Sequence, residues 1–320
     1  MSNLLKRIAT DFGVTIREAR MLVNSAPKRY KVFEIDKRNG TKRLVAQPAK
    51  EIKALQKWLV ENVLSELPIH DCATAYRSGR GIKYNASKHV NNAYLLKMDF
   101  RKYFPSIKKL DLAKHLASCM TDRFDADDID FICNIALWRP KNINGRLKAG
   151  RGLELCIGGP SSPFIANSIA YAFDLLVSEE CKRMGVTYTR YADDLTFSTN
   201  EKGVLREIES FVTKACKQVE YPYLRINTEK TVHASKKHKR FVTGVTLSSQ
   251  GKLSLGRVRK RNIRAAIHKF TQGQLDSKST LRLRGLLAFA LDVEPSFIKS
   301  MKNKYGDHKI ESILKWEKPV

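Results

Sequence analysis

Residues 189–198 read TRYADDLTFS. Tyrosine, threonine, leucine and phenylalanine flank two adjacent carboxylates, Asp193 and Asp194. The wider stretch VTYTRYADDLTFST predicts a β-hairpin that turns at Ala-Asp-Asp. A tight turn of this kind exposes both carboxylates at one edge of a sheet. Carboxylates this close repel each other, which raises their pKa values unless a cation compensates. On its own, Asp-Asp in a turn is ordinary, because Asp favours turns through local hydrogen bonds.

A second stretch changes the weight of the first. AYLLKMDF reads as a buried strand that ends at Asp99. If the two strands are neighbours, Asp99 and the hairpin turn meet at one sheet edge. Hard carboxylate oxygens suit magnesium, which shares its shell with water and substrate phosphates. Three such groups could hold two ions about 3.5–4 Å apart, the arrangement of in-line phosphoryl displacement. The other acidic run, DRFDADDID at 122–130, lacks the glycine of a calcium loop. It precedes FICNIAL and reads as a helix N-terminal cap.

The composition narrows the partner. The chain has 320 residues, room for one large domain or two to three subdomains. Hydrophobic residues at 42% and charged residues at 28% indicate a folded protein. Lys and Arg number 59 against 32 Asp and Glu, a net charge of +27 that calls for a polyanion, most simply nucleic acid. From Lys230 to Leu275 there is no acidic residue. Basic side chains separated by apolar ones in that stretch suggest a surface that follows phosphates. No apolar run reaches membrane-spanning length, and MSNLLKRIATDFG lacks a signal-peptide core. The six cysteines (72, 119, 133, 156, 181 and 216) form no CxxC pair, which points to reduced thiols in a cytoplasm.

Strands and helices interleave along the chain. Thr15 caps a helix running to about Ser25. RYKVFEID and TKRLVAQ flank the Asn-Gly turn of KRNG, and Pro48 ends the second strand. AKEIKALQKWLVENVLSEL has helical spacing, and IKYNASKHV, DLAKHLASCM and DIDFICNIALW suggest further helices. The stretch 139–154 reads as a basic loop. GGPSSPFIANSIAYAFDLLVSEECKRM begins with turn chemistry and continues as one long helix. Leu205–Val219 is helical, LRINTEKT and KRFVTGVTL suggest short strands, and the chain from Gly256 is mostly helical. This order predicts an α+β fold with a small sheet and a helical appendage.

Asp99 in MDFRKYFPS, GGPSSPFIAN at 158–167 and YADD at 191–194 resemble the palm motifs of reverse transcriptases. NASKH at 85–89 and VTG at 242–244 resemble the Asn-Ala-x-x-His and Val-Thr-Gly elements of the retron branch of that family. The resemblance covers roughly residues 25–310 and implies a right hand of fingers, palm and thumb. It implies an N-terminal helical segment at 1–28, fingers at 29–93, palm at 94–240, and a primer-grip region with a basic thumb at 241–320.

The resemblance also implies roles. Asp99, Asp193 and Asp194 become ligands of two magnesium ions. Phe104 becomes the ring that crowds a ribose 2′-hydroxyl and favours deoxynucleotides; without the resemblance it reads as core. Lys42 and Arg43 resemble the residues that grip an incoming triphosphate, although a solvated hairpin face is the plainer reading. Gly158, Gly159, Pro160, Ser161 and Ser162 let backbone approach nucleotide and template, while also suiting a Ser-capped helix start. Lys230 is a candidate to neutralise or protonate pyrophosphate. Many relatives carry Gln where Ile157 stands, so nucleotide contacts at this wall are expected to be more apolar.

Retron enzymes are expected to bind one structured non-coding RNA and to prime DNA synthesis from an internal guanosine 2′-hydroxyl. The product is a branched RNA–DNA molecule. Asn85, His89, Val242, Thr243 and Gly244 are implied in recognising that RNA, and Arg257, Arg259, Lys260 and Arg261 are candidate contacts in the acid-free stretch. The 76 residues after Gly244 suit a thumb and leave no room for a nuclease domain, so a host ribonuclease H is expected to act on the product. Membership further implies anti-phage defence with an effector protein of the same locus. Alternatives are an RNA-binding scaffold with a vestigial site, against which the three aspartates argue, and a group II intron-like or diversity-generating enzyme, against which NASKH and VTG argue.

Overall fold

The strand ending in Asp99 and the Tyr-Ala-Asp-Asp hairpin are neighbours in one sheet. The computed structural model describes residues 2–36, 40, 42–147 and 152–317. Nine strands are described: β1 (Tyr30–Asp36), β2 (Lys42–Pro48), β3 (Tyr94–Asp99), β4 (Thr187–Tyr191), β5 (Asp194–Thr199), β6 (Val232–Ser235), β7 (Arg240–Val242), β8 (Val245–Leu247) and β9 (Leu253–Ser254). They form an antiparallel pair β1-β2, a central four-stranded sheet ordered β4-β5-β3-β6, and a three-stranded sheet β7-β8-β9. Lys37, Arg38 and Asn39 of the first hairpin turn, and residues 148–151 of the basic loop, lie outside the described residues.

The central sheet separates two cores. Period-2 alternation turns Leu96 and Met98 of β3 toward one core, with Phe173, Ile208 and Val212 of the helices behind the sheet. Leu95 faces the other core, which contains Val242, Val245, Ile263, Leu283 and Ile298. Helix Ile16–Ser25 begins with a capping box in which Thr15 and Glu18 exchange bonds. Asp125 caps helix Ala126–Ala136 by accepting from Asp128 N at 2.7 Å, so the acidic run at 122–130 works as a helix start.

Three local expectations are corrected. The helix predicted from Gly158 is two helices, Ser162–Ile169 and Tyr171–Arg183, joined at Ala170. Ser161 occupies the N-cap position, but its buried hydroxyl makes no capping bond. LRINTEKT is not a strand: Ile226 makes a single bridge to Phe100, and a 3-10 turn spans Thr228–Lys230. Among the described residues no helix is long and apolar enough to cross a membrane, and all six cysteines are free thiols.

Arg190 of β4 is fully buried, an expensive place for a guanidinium without partners. Its Nη2 donates to Asp174 Oδ2 at 2.6 Å and its Nε to Asp174 Oδ1 at 2.9 Å. Further bonds reach Asn167 O and Asn167 Oδ1, and Nη1 donates to the carbonyl of Ala192 at 3.1 Å. The Tyr188 hydroxyl also donates to Asp174, at 2.9 Å. One cation thus ties β4, both helices of residues 162–183 and the Ala192 turn together. Asp174→Leu leaves that cation buried without its counter-charge and is expected to cost about 3–5 kcal/mol, read as a lower urea midpoint. Combining it with Arg190→Met should recover most of the loss.

Candidate active site

The aspartates meet through strand register. β3 and β5 are antiparallel, and Asp99 stands directly opposite Asp194, while Tyr191 stands opposite Asp194 across β4 and β5. Ala192 and Asp193 are therefore the two-residue loop, and Asp194 is the first residue of the return strand. Ala192 has φ +57°, the left-handed backbone that tight hairpins require at the first loop position. The Phe100 amide donates to the Asp193 carbonyl at 3.0 Å, which joins the turn to the end of β3.

The carboxylates disturb one another. Burial, reinforced by the charges of Asp194 and Asp99, pushes the Asp193 carboxyl up to about 6. Burial also raises the Asp194 carboxyl; Lys97 opposes the rise and Asp99 adds to it. Lys230 Nζ donates to Asp99 Oδ2 at 2.9 Å. That contact is built by the backbone: the Asn227 amide donates to the Asp99 carbonyl at 2.7 Å, and the turn that follows delivers Lys230. The bond to Asp99 raises the Lys230 ammonium above its usual range, so it stays charged.

Among the described residues no three histidine, cysteine or acidic side chains form a metal cage by themselves. The donors here are hard oxygens, two of them directly opposed and the third destabilised by its neighbours. This set fits a hard divalent cation whose remaining ligands are water and substrate oxygens.

The other expected residues divide. Lys42 and Arg43 are exposed on β2, and Lys42 Nζ lies 3.3 Å from Glu34. Phe104 is half-buried, edge-on to Tyr103 with ring centres 5.8 Å apart. Gly158 has φ +117°, and a Cβ there would lie 3.1 Å from Val45 Cγ1 and 3.2 Å from Ala46 O. At Gly159 a Cβ would come within 2.9 Å of Cys156, Gln56 and Ser162. Gly158 permits close approach to strand β2, where the Ala46 amide donates to the Ile157 carbonyl at 3.1 Å.

Asn85 and His89 are fully buried. Asn85 Oδ1 accepts from Thr189 Oγ1 at 2.6 Å, so His89 Nε2 donates to the same hydroxyl at 2.7 Å. His89 Nδ1 then accepts from Ser198 Oγ, also at 2.7 Å. Burial pushes this imidazole down to about 3, and it is neutral. Asn85 Nδ2 also donates to Thr243 Oγ1 at 3.4 Å. Val242 is buried, and Thr243 and Gly244 form the β7-β8 loop with φ +43° and +92°. Both loop positions lie in the left-handed region, which a β-branched threonine resists. The two motifs therefore form one unit, and their buried side chains face each other and not solvent.

The basic candidates also divide. Arg257 and Arg261 are exposed. Arg259 donates to the Gly244 carbonyl at 2.8 Å and lies over Phe289, and Lys260 pairs with Glu294. Arg240, counted with the phosphate-following stretch, is buried and donates to the carbonyls of Asn92 and Ser248.

Sequence reasoning does not single out Tyr76. It has φ +57°, rare for an aromatic residue, and its ring centre lies 6.5 Å from that of Tyr191. Burial and then the Asp193 charge raise its hydroxyl, and Arg43 opposes them. Arg190, Asn167 and Asp174 are also absent from that reading. Only Arg190 carries a sequence signal, a charge at an inward position of an otherwise apolar strand.

A model of the reverse transcriptase (RNA-dependent DNA polymerase) family matches residues 35–247. The retron Ec83 reverse transcriptase of Escherichia coli is 40% identical over 315 residues, covering 97% of this chain and 99% of that protein. The retron Ec73 reverse transcriptase of Escherichia coli is 30% identical over 294 residues, covering 88% and 89%. A telomerase from Candida albicans, solved with a fragment of telomeric RNA, superposes with a TM-score of 0.50 at 14% identity, over 92% of this chain and 56% of that one. That likeness concerns the fold alone, a right hand of fingers, palm and helical thumb. The chain is an RNA-directed DNA polymerase and belongs to the reverse transcriptase family. Within the family it is a retron-type enzyme.

The raised Asp193 carboxyl has a measurable consequence. The native group holds its proton more tightly than the unfolded one, so stability falls as pH rises from the ordinary aspartate range through about 6. In a chelator at pH 8, Asp193→Asn should unfold at higher temperature than the parent, by about 1–2 kcal/mol after solvent screening is allowed for. At pH 5 the difference should shrink. Thermal scans at the two pH values check this.

Proposed function

We propose that this enzyme binds one structured non-coding RNA, copies part of it, and starts from an internal guanosine 2′-hydroxyl, giving branched multicopy single-stranded DNA. The observation that carries the polymerase chemistry is the register pairing Asp99 with Asp194 beside the Asp193 turn. Bound among these carboxylates and the substrate phosphates, two magnesium ions supply activation of the attacking hydroxyl and neutralisation of the leaving pyrophosphate.

The protein groups do the rest. β3 and β5 hold the carboxylates rigidly at one edge, so no reorganisation is needed when charge develops. Lys230, kept protonated by Asp99, is positioned to meet negative charge or to pass a proton to pyrophosphate. Arg43 and Lys42 reach for the triphosphate from the β2 side. Phe104 limits room at the ribose 2′-position, and Gly158 and Gly159 keep the opposite wall low. Recognition of the cognate RNA falls to Arg257, Arg261 and the Val242–Gly244 turn. Asn85 and His89 hold that turn in place, and Arg259 and Lys260 set the thumb beside it.

We assign the N-terminal helical segment to 1–28, fingers to 29–93, palm to 94–240 and thumb to 241–320. We further propose a cytoplasmic anti-phage setting with an effector protein of the same locus, and host ribonuclease H acting on the product; similarity to retron reverse transcriptases supports this reading.

A protein carrying both Asp193→Asn and Asp194→Asn should keep its RNA in pull-down and make no DNA in a primer-extension assay with magnesium. Continued synthesis would contradict the mechanism, and an inactive parent would favour a scaffold. Phe104→Ala should narrow the kcat/KM preference for deoxynucleotides over ribonucleotides by on the order of tenfold or more. Unchanged selectivity would remove the steric role.

A further inference from the structure

A cleft of about 670 Å³ opens between the β7-β8-β9 sheet and helices Arg257–Thr271 and Ser277–Val293. Of the residues given roles above, only Arg259 lines it. Phe241, the middle residue of β7, lines it and is 37% exposed. Two ammonium groups flank the ring, Lys97 Nζ at 5.5 Å and Lys239 Nζ at 5.8 Å from its centre. Lys269 and Arg282, on the two helices, line the cleft as well, and Leu255 and Leu283 give it an apolar floor.

The composition limits the occupant. A phosphate site has no use for a leucine floor and an aromatic ring, and an apolar ligand has no use for a rim of cations. A nucleotide needs both: a π-face for its base, and positive charge for the phosphates on either side. The volume exceeds that of a base and falls in the range of small-ligand sites, roughly 300–1,000 Å³. Lys97 and Asp99 are two positions apart on β3 and so face the same side of the sheet. A strand passing the carboxylates can therefore reach Phe241.

We propose that this cleft captures an unpaired nucleotide of a bound RNA, with the base on Phe241 and its flanking phosphates on Lys97, Lys239, Lys269 and Arg282. The inference rests on the RNA-binding reading of the enzyme and adds a single-strand site to it. Stacking on an aromatic ring contributes roughly 1–3 kcal/mol per base, which is about 5- to 150-fold in affinity.

The test is fluorescence anisotropy with the full-length protein and two labelled RNAs of equal phosphate number, a hairpin with an unpaired loop and a blunt duplex. Phe241→Leu should weaken hairpin binding at least fivefold and leave duplex binding within twofold; unchanged duplex binding also shows that the variant is folded. Phe241→Trp should bind the hairpin like the parent. Equal losses on both RNAs, no loss on either, or failure of Trp to substitute overturns the proposal. So does a DNA hairpin of the same sequence that binds the parent more tightly than the RNA. The assay needs no synthesis, and primer extension by the parent is scored separately. An active parent with no Phe241 dependence removes the cleft alone, and an inactive parent that keeps the dependence removes the polymerase reading alone.

Discussion

The buried ion pair between Arg190 and Asp174 is the constraint on which the Tyr-Ala-Asp-Asp hairpin depends. A guanidinium inside a protein core is tolerated only when every donor has an acceptor, and Arg190 spends its donors on Asp174, Asn167 and the Ala192 carbonyl. The last of these bonds holds the turn from inside. The left-handed Ala192 and the adjacent Asp193 are thus fixed by a group that never reaches the surface. Buried pairs of this kind add little net stability compared with well-packed apolar residues, so the gain here is geometric.

The site built on that support is electrostatically uncomfortable. Asp193 is partly desolvated beside two other carboxylates, and Lys230, which bonds Asp99 directly, only partly offsets the rise at Asp193. A fold selected for stability alone would place an amide at position 193. Keeping the acid leaves a concentrated negative charge at the sheet edge of a protein that is otherwise strongly basic, and that contrast separates two tasks. A basic surface favours a polyanion, and a cluster of carboxylates favours a cation.

The retron-type motifs turn out to be mechanical parts. His89 and Asn85 bridge Thr189 and Ser198 of the catalytic hairpin to Thr243 of the β7-β8 loop. Arg259 continues the connection into the thumb through the Gly244 carbonyl. The hairpin that carries the aspartates and the sheet that begins the thumb are therefore held in fixed relation by buried, satisfied polar groups. A neutral, fully partnered imidazole is well suited to that task, because it specifies direction without carrying charge.

What the sequence determined by itself was local. Alternating apolar residues, the Ala-Asp-Asp turn, the Thr15 cap, the acidic helix start at 122–130 and the apolar run before Asp99 each depend on neighbours a few positions away, and all are found in the structure. The errors were local as well: one long helix was expected where Ala170 interrupts it, and a strand where Lys230 is delivered by a 3-10 turn. Tertiary structure alone decided which strand lies beside which, and so brought Asp99 to Asp194 across 94 intervening residues. It also decided that Arg190 and Asp174 would neutralise each other, that Asn85 and His89 would turn inward, and that Tyr76 would lie beside Tyr191. Short-range patterns record which face of an element is apolar; they carry no record of the partner that covers it, because that choice is made by packing between segments far apart in the chain.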